Sequence, residues 1–185
     1  GAVGNVTYSS FVEKTAAKRG GAVFLSGTTD NPCENTSFLH SYFKHNRAGA
    51  NGGAVDWSQG AQNGLVDNVT FIENYANGDG GSIFWSGHNG TVQNTKFINN
   101  SAGDDGGAIY WEGNIGTIYN TTFYNNTGIS YNKSTSRGGA ICLTGNDAVI
   151  DKSTFILCAV KYGDGFNASK LDGGAIFLTG DDVNI

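Results

Sequence analysis

A four-residue phrase recurs along this chain and limits its architecture more than any other feature. Gly20-Gly21-Ala22-Val23, Gly52-Gly53-Ala54-Val55, Gly80-Gly81-Ser82-Ile83, Gly106-Gly107-Ala108-Ile109, Gly138-Gly139-Ala140-Ile141 and Gly173-Gly174-Ala175-Ile176 follow one another at spacings of 32, 28, 26, 32 and 35 residues. Periods of this size mark stacked repeat architectures, in which each unit buries its apolar side only against its neighbours. A second landmark sits between the glycine pairs: Asn68-Val69-Thr70-Phe71, Asn94-Thr95-Lys96-Phe97, Asn120-Thr121-Thr122-Phe123 and, more loosely, Lys152-Ser153-Thr154-Phe155. Phe71, Phe97 and Phe123 continue as Phe-X-X-Asn, ending at Asn74, Asn100 and Asn126. In the second unit both Phe38 and Phe43 fit; the reading taken is Phe38, with a short insertion after it.

Each unit holds short runs of alternating apolar residues separated by turn residues, and none is long enough for a helix. The expectation is an all-β chain, a right-handed parallel β-helix of about six coils, with residues 1–185 forming a single segment of a longer array. The opening stretch Gly4 to Phe11 matches Gly116 to Phe123, the closing stretch Leu178 to Val183 matches Leu143 to Ala148, and neither end carries a cap. Composition agrees: 29 glycines, one proline, no methionine and 15% charged residues leave little helix-forming text.

Alternation assigns the faces. Val55 and Trp57 point inward around Asp56, and the same parity puts Ile83, Trp85, Ile109, Trp111, Ile141, Leu143, Ile176 and Leu178 inside. Strand spacing then stacks Phe71, Phe97, Phe123 and Phe155 as an aromatic ladder, with Asn74, Asn100 and Asn126 as an amide ladder and Cys158 ending it. The paired glycines mark a corner that needs positive φ or close approach of two backbones.

Gly-Gly-Ala-Ile/Val together with Phe-X-X-Asn resembles the Chlamydia-type polymorphic membrane protein repeat, found also in adhesin-like surface proteins of methanogenic archaea, and the likeness runs along nearly the whole chain. It implies a right-handed parallel β-helix and an extracellular, cell-surface, adhesive role, with a host or partner-cell surface protein or glycan as the partner. The Phe-X-X-Asn half departs at Lys14, Ser41 and Cys158, where asparagine is expected.

The net charge of -5 argues against nucleic acid, whose phosphates demand clustered Lys and Arg. No apolar run has the length of a membrane-spanning helix, so no membrane insertion is expected of this segment. Cys33, Cys142 and Cys158 have no metal-ligand spacing. Asn-X-Ser/Thr triplets begin at Asn5, Asn35, Asn68, Asn89, Asn99, Asn120, Asn125, Asn132 and Asn167, a density more natural in exported chains.

The candidate contact surface is the outward parity of the strand after each glycine pair: Phe24, Asp56, Phe84, Tyr110, Cys142 and Phe177. The short third and fourth units have no residues to spare for covering Phe84 and Tyr110, so these two are expected to be the exposed pair, while insertions after Phe123 and Phe155 fold over Cys142 and Phe177. The alternative class is a β-helical polysaccharide lyase or glycoside hydrolase. The residues before the glycine pairs (Arg19, Asn51, Asp79, Asp105, Arg137, Asp172) form one column in which Asp79 and Asp105 are neighbours, at a spacing near that of a retaining glycosidase pair. The preferred reading is not an enzyme: Arg137 beside Asp105 and Asp172 makes an ionic ladder and keeps the paired acids Asp79 and Asp105 ionised, and His40, His45 and His88 are scattered, the first two as insertion residues. No cofactor is expected; the weak calcium candidates are Asp147, Asp181 and Asp182, with Gly103-Asp104-Asp105-Gly106 as a further acidic turn. Acidic and basic residues converging in one groove would favour the enzyme, a scattered ladder the adhesin.

Overall fold

The structure, a computed structural model, describes residues 4–28, 30–131, 135–163 and 170–185. Every element is a short strand, and all the strand pairings are parallel. Four six-stranded sheets run the length of the molecule, each taking one strand from each of six coils. The third coil is representative: Leu65–Asp67, Thr70–Ile72, Tyr75–Ala76 and Ile83–Trp85 lie on the first, second, third and fourth faces in turn. A small fifth sheet pairs Thr135–Arg137 with Lys170–Asp172. The chain is thus a parallel β-helix of six coils, as the repeat predicts.

Strands of two to four residues need a sharp corner after each, and a left-handed residue supplies it. Non-glycine residues with φ between 47° and 60° fill three corner columns, and six glycines fill the fourth. Eight of these eighteen non-glycine corner residues are asparagine, the side chain that best tolerates this region. This geometry explains the Asn-X-Ser/Thr triplets: Asn35, Asn68, Asn89, Asn99, Asn120 and Asn125 are all corner residues, each followed by strand positions where Ser and Thr fit. For these six triplets the corner geometry alone accounts for the asparagine. His40 and His45 are regular corner residues too, at φ 49° and 54°, and not part of an insertion. His40 stacks on Tyr8, and His45 Nε2 meets Glu73 at 3.0 Å.

Both explanations of the glycine pair hold, one for each residue. Gly80 has φ +66°. Gly81 instead lies so close to the next coil that a Cβ there would sit 2.1 Å from the Gly107 carbonyl oxygen.

Inside, like stacks on like. Six phenylalanines, Phe11, Phe43, Phe71, Phe97, Phe123 and Phe155, form one column with ring centroids 4.6 to 5.0 Å apart. Trp57, Trp85 and Trp111 form a second, at 4.2 and 4.4 Å. All the inward residues assigned by parity lie in or against the core. The second coil corrects the reading of its landmark. Phe43 pairs in register with Phe71, whereas Phe38 lies on the first face opposite Val66. Phe43-Lys44-His45-Asn46 is therefore the complete Phe-X-X-Asn of that coil, and Ser41 is no departure. The extra residues precede Phe38: the turn from the fourth face to the first spans 26–36 in the first coil and 58–64 in the second, against 86–90, 112–116 and 144–148 in the later ones.

The amide ladder gains a fourth asparagine by this correction. Asn46, Asn74 and Asn100 each donate Nδ2 to Oδ1 of the next asparagine at 2.9 to 3.0 Å, and the last acceptor is Asn126. Cys158 ends the ladder, its sulfur 3.9 Å from Asn126 Nδ2.

Candidate functional site

Phe24, Asp56, Phe84, Tyr110, Cys142 and Phe177 stand in adjacent strands in one register on the outside of the fourth face, as parity requires. Direction is right, but coverage differs from expectation. Phe84 and Tyr110 are half-buried, with parallel rings 5.2 Å apart, and Phe24 is the most open of the three at 48% exposure. Asp56, assigned to solvent, is fully buried, and neither carboxylate oxygen has a hydrogen-bond partner. Its strand neighbours in register are Phe24 and Phe84, both far larger than an aspartate side chain. Burial pushes its pKa up to about 6; the Arg19 guanidinium opposes that shift and Glu112 adds to it. Cys142 is also buried, and its thiol is pushed up by burial and then by the charges of Asp105 and Asp79. Burial likewise raises Tyr110 to about 12. The Arg137 guanidinium lies 5.0 Å over the Phe177 ring, covering it from the insertion after Phe123. Residues 132–134 and 164–169 of the two insertions lie outside the described residues.

One margin of this stripe is the column before the glycine pairs. Asp79 N–H donates to Asn51 Oδ1, Asp105 N–H to Asp79 Oδ1 and Arg137 N–H to Asp105 Oδ1, so the column exists as read. Its electrostatics differ. Asp105 is pushed up to about 6, by burial first and by Asp79 second, and these outweigh the Arg137 main-chain bond and charge. Arg137 fails to hold Asp105 in the ordinary carboxylate range because its guanidinium is turned onto Phe177. Asp79, Asp104 and Asp105 bring carboxylate oxygens within 4.8 Å of one another. Asp147 and Asp182 instead continue a corner column, with Asp181 just before it in the turn: Asp147 N–H donates to the Asp181 carbonyl, and Asp181 N–H to Asn146 Oδ1.

The other margin was not read from the sequence. Beside Phe84 a groove of about 650 Å³ is lined by Arg19, Glu34, Gln59, Gln62, His88 and Glu112, with Pro32 and small residues completing it. Glu34 and Pro32 belong to the long turn 26–36, and Gln59 and Gln62 to the next longest, 58–64, so the groove is made where the coils depart from their shortest form. The unequal lengths of these turns are the sequence signal that points to it. Acidic and basic side chains do converge here. Glu112 accepts a hydrogen bond from Ser86 Oγ at 2.6 Å, and His88 Nδ1 accepts the Asn114 N–H at 3.0 Å. Asp79 and Asp105 do not line this groove.

Among known proteins, a family model described as the Chlamydia polymorphic membrane protein repeat matches residues 94–110 and 120–144. No curated protein and no solved structure gives a significant match. The matched segments hold Asn94 to Phe97 and Gly106 to Ile109 of one coil, then Asn120 to Phe123 and Gly138 to Ile141 of the next. With its stacked coils, the chain is a β-solenoid carrying repeats of the Chlamydia polymorphic membrane protein type.

Proposed function

We propose that this chain is the β-helical binding segment of an extracellular, cell-surface adhesin-like protein that attaches to host or partner cells. The observation that carries the reading is the pairing of a half-exposed aromatic stripe with a groove along one side of a rod built from this repeat type. A rod whose interior is a set of close-packed ladders keeps its outward residues in fixed register, which suits repeated contact along a surface. Among the described residues there is no helix long and apolar enough to cross a membrane, and the reading needs no cofactor. Binding of wild type and a Phe84→Ala, Tyr110→Ala double variant to epithelial and microbial cells tests it, with unfolding midpoints as control. Weaker cell binding by a variant of unchanged midpoint supports the contact role. Equal binding removes it, and retained binding with a lowered midpoint assigns the pair to packing.

A second reading, a β-helical polysaccharide lyase or glycoside hydrolase, is favoured by two features: acidic and basic side chains converge in the groove, and Asp105 beside Asp79 is pushed up to about 6, as suits a general acid paired with a carboxylate. Binding is preferred because that pair lies outside the groove. Release of reducing or unsaturated sugars from pectin, alginate or mucin glycans, abolished by Asp105→Ala, would establish the enzyme instead.

A further inference from the structure

The geometry points to the groove beside Phe84 as a binding site for a neutral oligosaccharide, one built of hexose or N-acetylhexosamine units. This deepens the adhesive reading and rests on it: the groove is where that surface takes hold of its partner.

Four features carry the inference. The first is the platform. Phe84 lines the groove, and its half-exposed ring, stacked in parallel on Tyr110 of the adjacent coil, offers an apolar wall against which the C–H groups of a pyranose ring can pack. The second is the polar lining. Arg19, Glu34, Gln59, Gln62 and Glu112 converge on one concavity with planar guanidinium, carboxylate and amide groups, the shapes that bind vicinal hydroxyls through paired bonds. No side-chain hydrogen bond joins Arg19, Glu34, Gln59 or Gln62 to another described residue, so their donors and acceptors are open to a ligand. Glu112, in contrast, is oriented by Ser86 Oγ.

The third feature is charge. Two carboxylates against one guanidinium leave the groove on the negative side, which disfavours uronate or sulfated chains. The fourth is what the surface denies a protein ligand. Main-chain groups of Val55–Trp57 and Ile83–Trp85 beside the groove are tied to the coils on both sides, so a peptide cannot add as a strand between them; Val23–Leu25, at the end of the sheet, pairs on one side only. The groove's own lining has two rings, Phe84 and His88, and is otherwise polar or small; the apolar concavity of Ala16, Ala17 and Phe24 is a separate one, which shares Arg19 with it. The volume of about 650 Å³ is within the range of small-ligand sites.

The test uses the full 185-residue chain on an array of neutral hexose and N-acetylhexosamine oligomers set beside polygalacturonate and heparin, with cell binding measured in parallel. At least one neutral class is expected to be retained. Phe84→Ala and Gln62→Ala should each weaken that retention at least tenfold, and Tyr124→Ala, on the second face, should leave it unchanged. Because Phe84 also stacks on Tyr110, Gln62→Ala keeps the test informative if Phe84→Ala unfolds. Retention of the charged polymers alone overturns the inference, as does retention that Gln62→Ala leaves intact. Cell binding without retention of any glycan also overturns it, while the adhesive reading survives with a protein partner. Glycan retention that depends on Gln62, without cell binding, upholds the groove and removes the adhesive reading.

Discussion

Asn126 Oδ1 accepts two hydrogen bonds from Asn100, one from its side-chain amide and one from its main-chain N–H, both at 3.0 Å. Asn100 repeats the pattern one coil earlier: its own Oδ1 accepts both donors of Asn74, while its second amide hydrogen goes to the Phe71 carbonyl. The side chain is fully buried and uses its whole bonding capacity.

Asn100→Ala should therefore be among the most damaging changes of its size in this chain. It leaves the main-chain and side-chain donors of Asn74 without their acceptor inside the core. At about 1–3 kcal/mol for each buried group left unsatisfied, the expected loss is roughly 3–5 kcal/mol in urea unfolding. A loss below about 1 kcal/mol would show that water replaces the ladder.

The two members of the glycine pair are separable by experiment. At Gly81 an added Cβ meets the Gly107 carbonyl oxygen at 2.1 Å, whereas at Gly174, on the last coil, it meets nothing within 4 Å. Gly81→Ala should lower the unfolding midpoint severely or abolish folding. Gly174→Ala should stay within about 0.5 kcal/mol of wild type, the usual range for a surface change. Equal effects at the two positions would contradict close backbone approach as the reason for the second glycine.

Ile115 is a β-branched residue held at φ 60° and 54% exposed, in a corner column otherwise filled by Asn35, Asn63, Asn89, Asp147 and Asp182. The left-handed region costs an L-residue of this kind about 1–2 kcal/mol, and exposure returns little for the isoleucine side chain. Ile115→Asn should raise stability by about 1 kcal/mol and place an amide next in line after the Asn89 Nδ2 to Asn63 Oδ1 bond. An unchanged or lowered midpoint would mean that this corner carries no strain.

The ladders were legible because a solenoid repeats its core in its sequence: Phe71, Phe97 and Phe123 announce one column, and the glycine pairs announce its corner. The second coil misled because Phe38 and Phe43 are both core residues, on adjacent faces, and the complete Phe-X-X-Asn ending at Asn46 was the better guide. The groove escaped because residues such as Glu34 and Gln62 lie in turns, where no periodicity operates. Only the unequal turn lengths betray it. Asp56 shows a different limit: alternation fixes which side of a strand a residue leaves from, while the size of its neighbours decides whether water reaches it.

Asp56 gives the sharpest measurement. Its carboxyl titrates at about 6 in the folded chain against the usual 3.8, so between those pH values the native state holds a proton that the unfolded state has released. Stability from this group is therefore greatest below about pH 4, falls as pH rises to about 6 and stays low above that. The loss is of order 2–3 kcal/mol, from 1.36 kcal/mol for each pH unit between the two values. Asp105, also raised to about 6, contributes with the same sign, so Asp56→Asn should flatten the profile in part and Asp56→Asn with Asp105→Asn further. Above pH 7 the single variant should be more stable than wild type, because an amide needs no charge solvation. Arg19→Ala should steepen the wild-type fall by removing the cation that opposes the shift. Denaturant unfolding at a series of pH values from 4 to 8 checks all three, and identical profiles for wild type and Asp56→Asn would mean that the carboxylate beside Phe84 is hydrated after all.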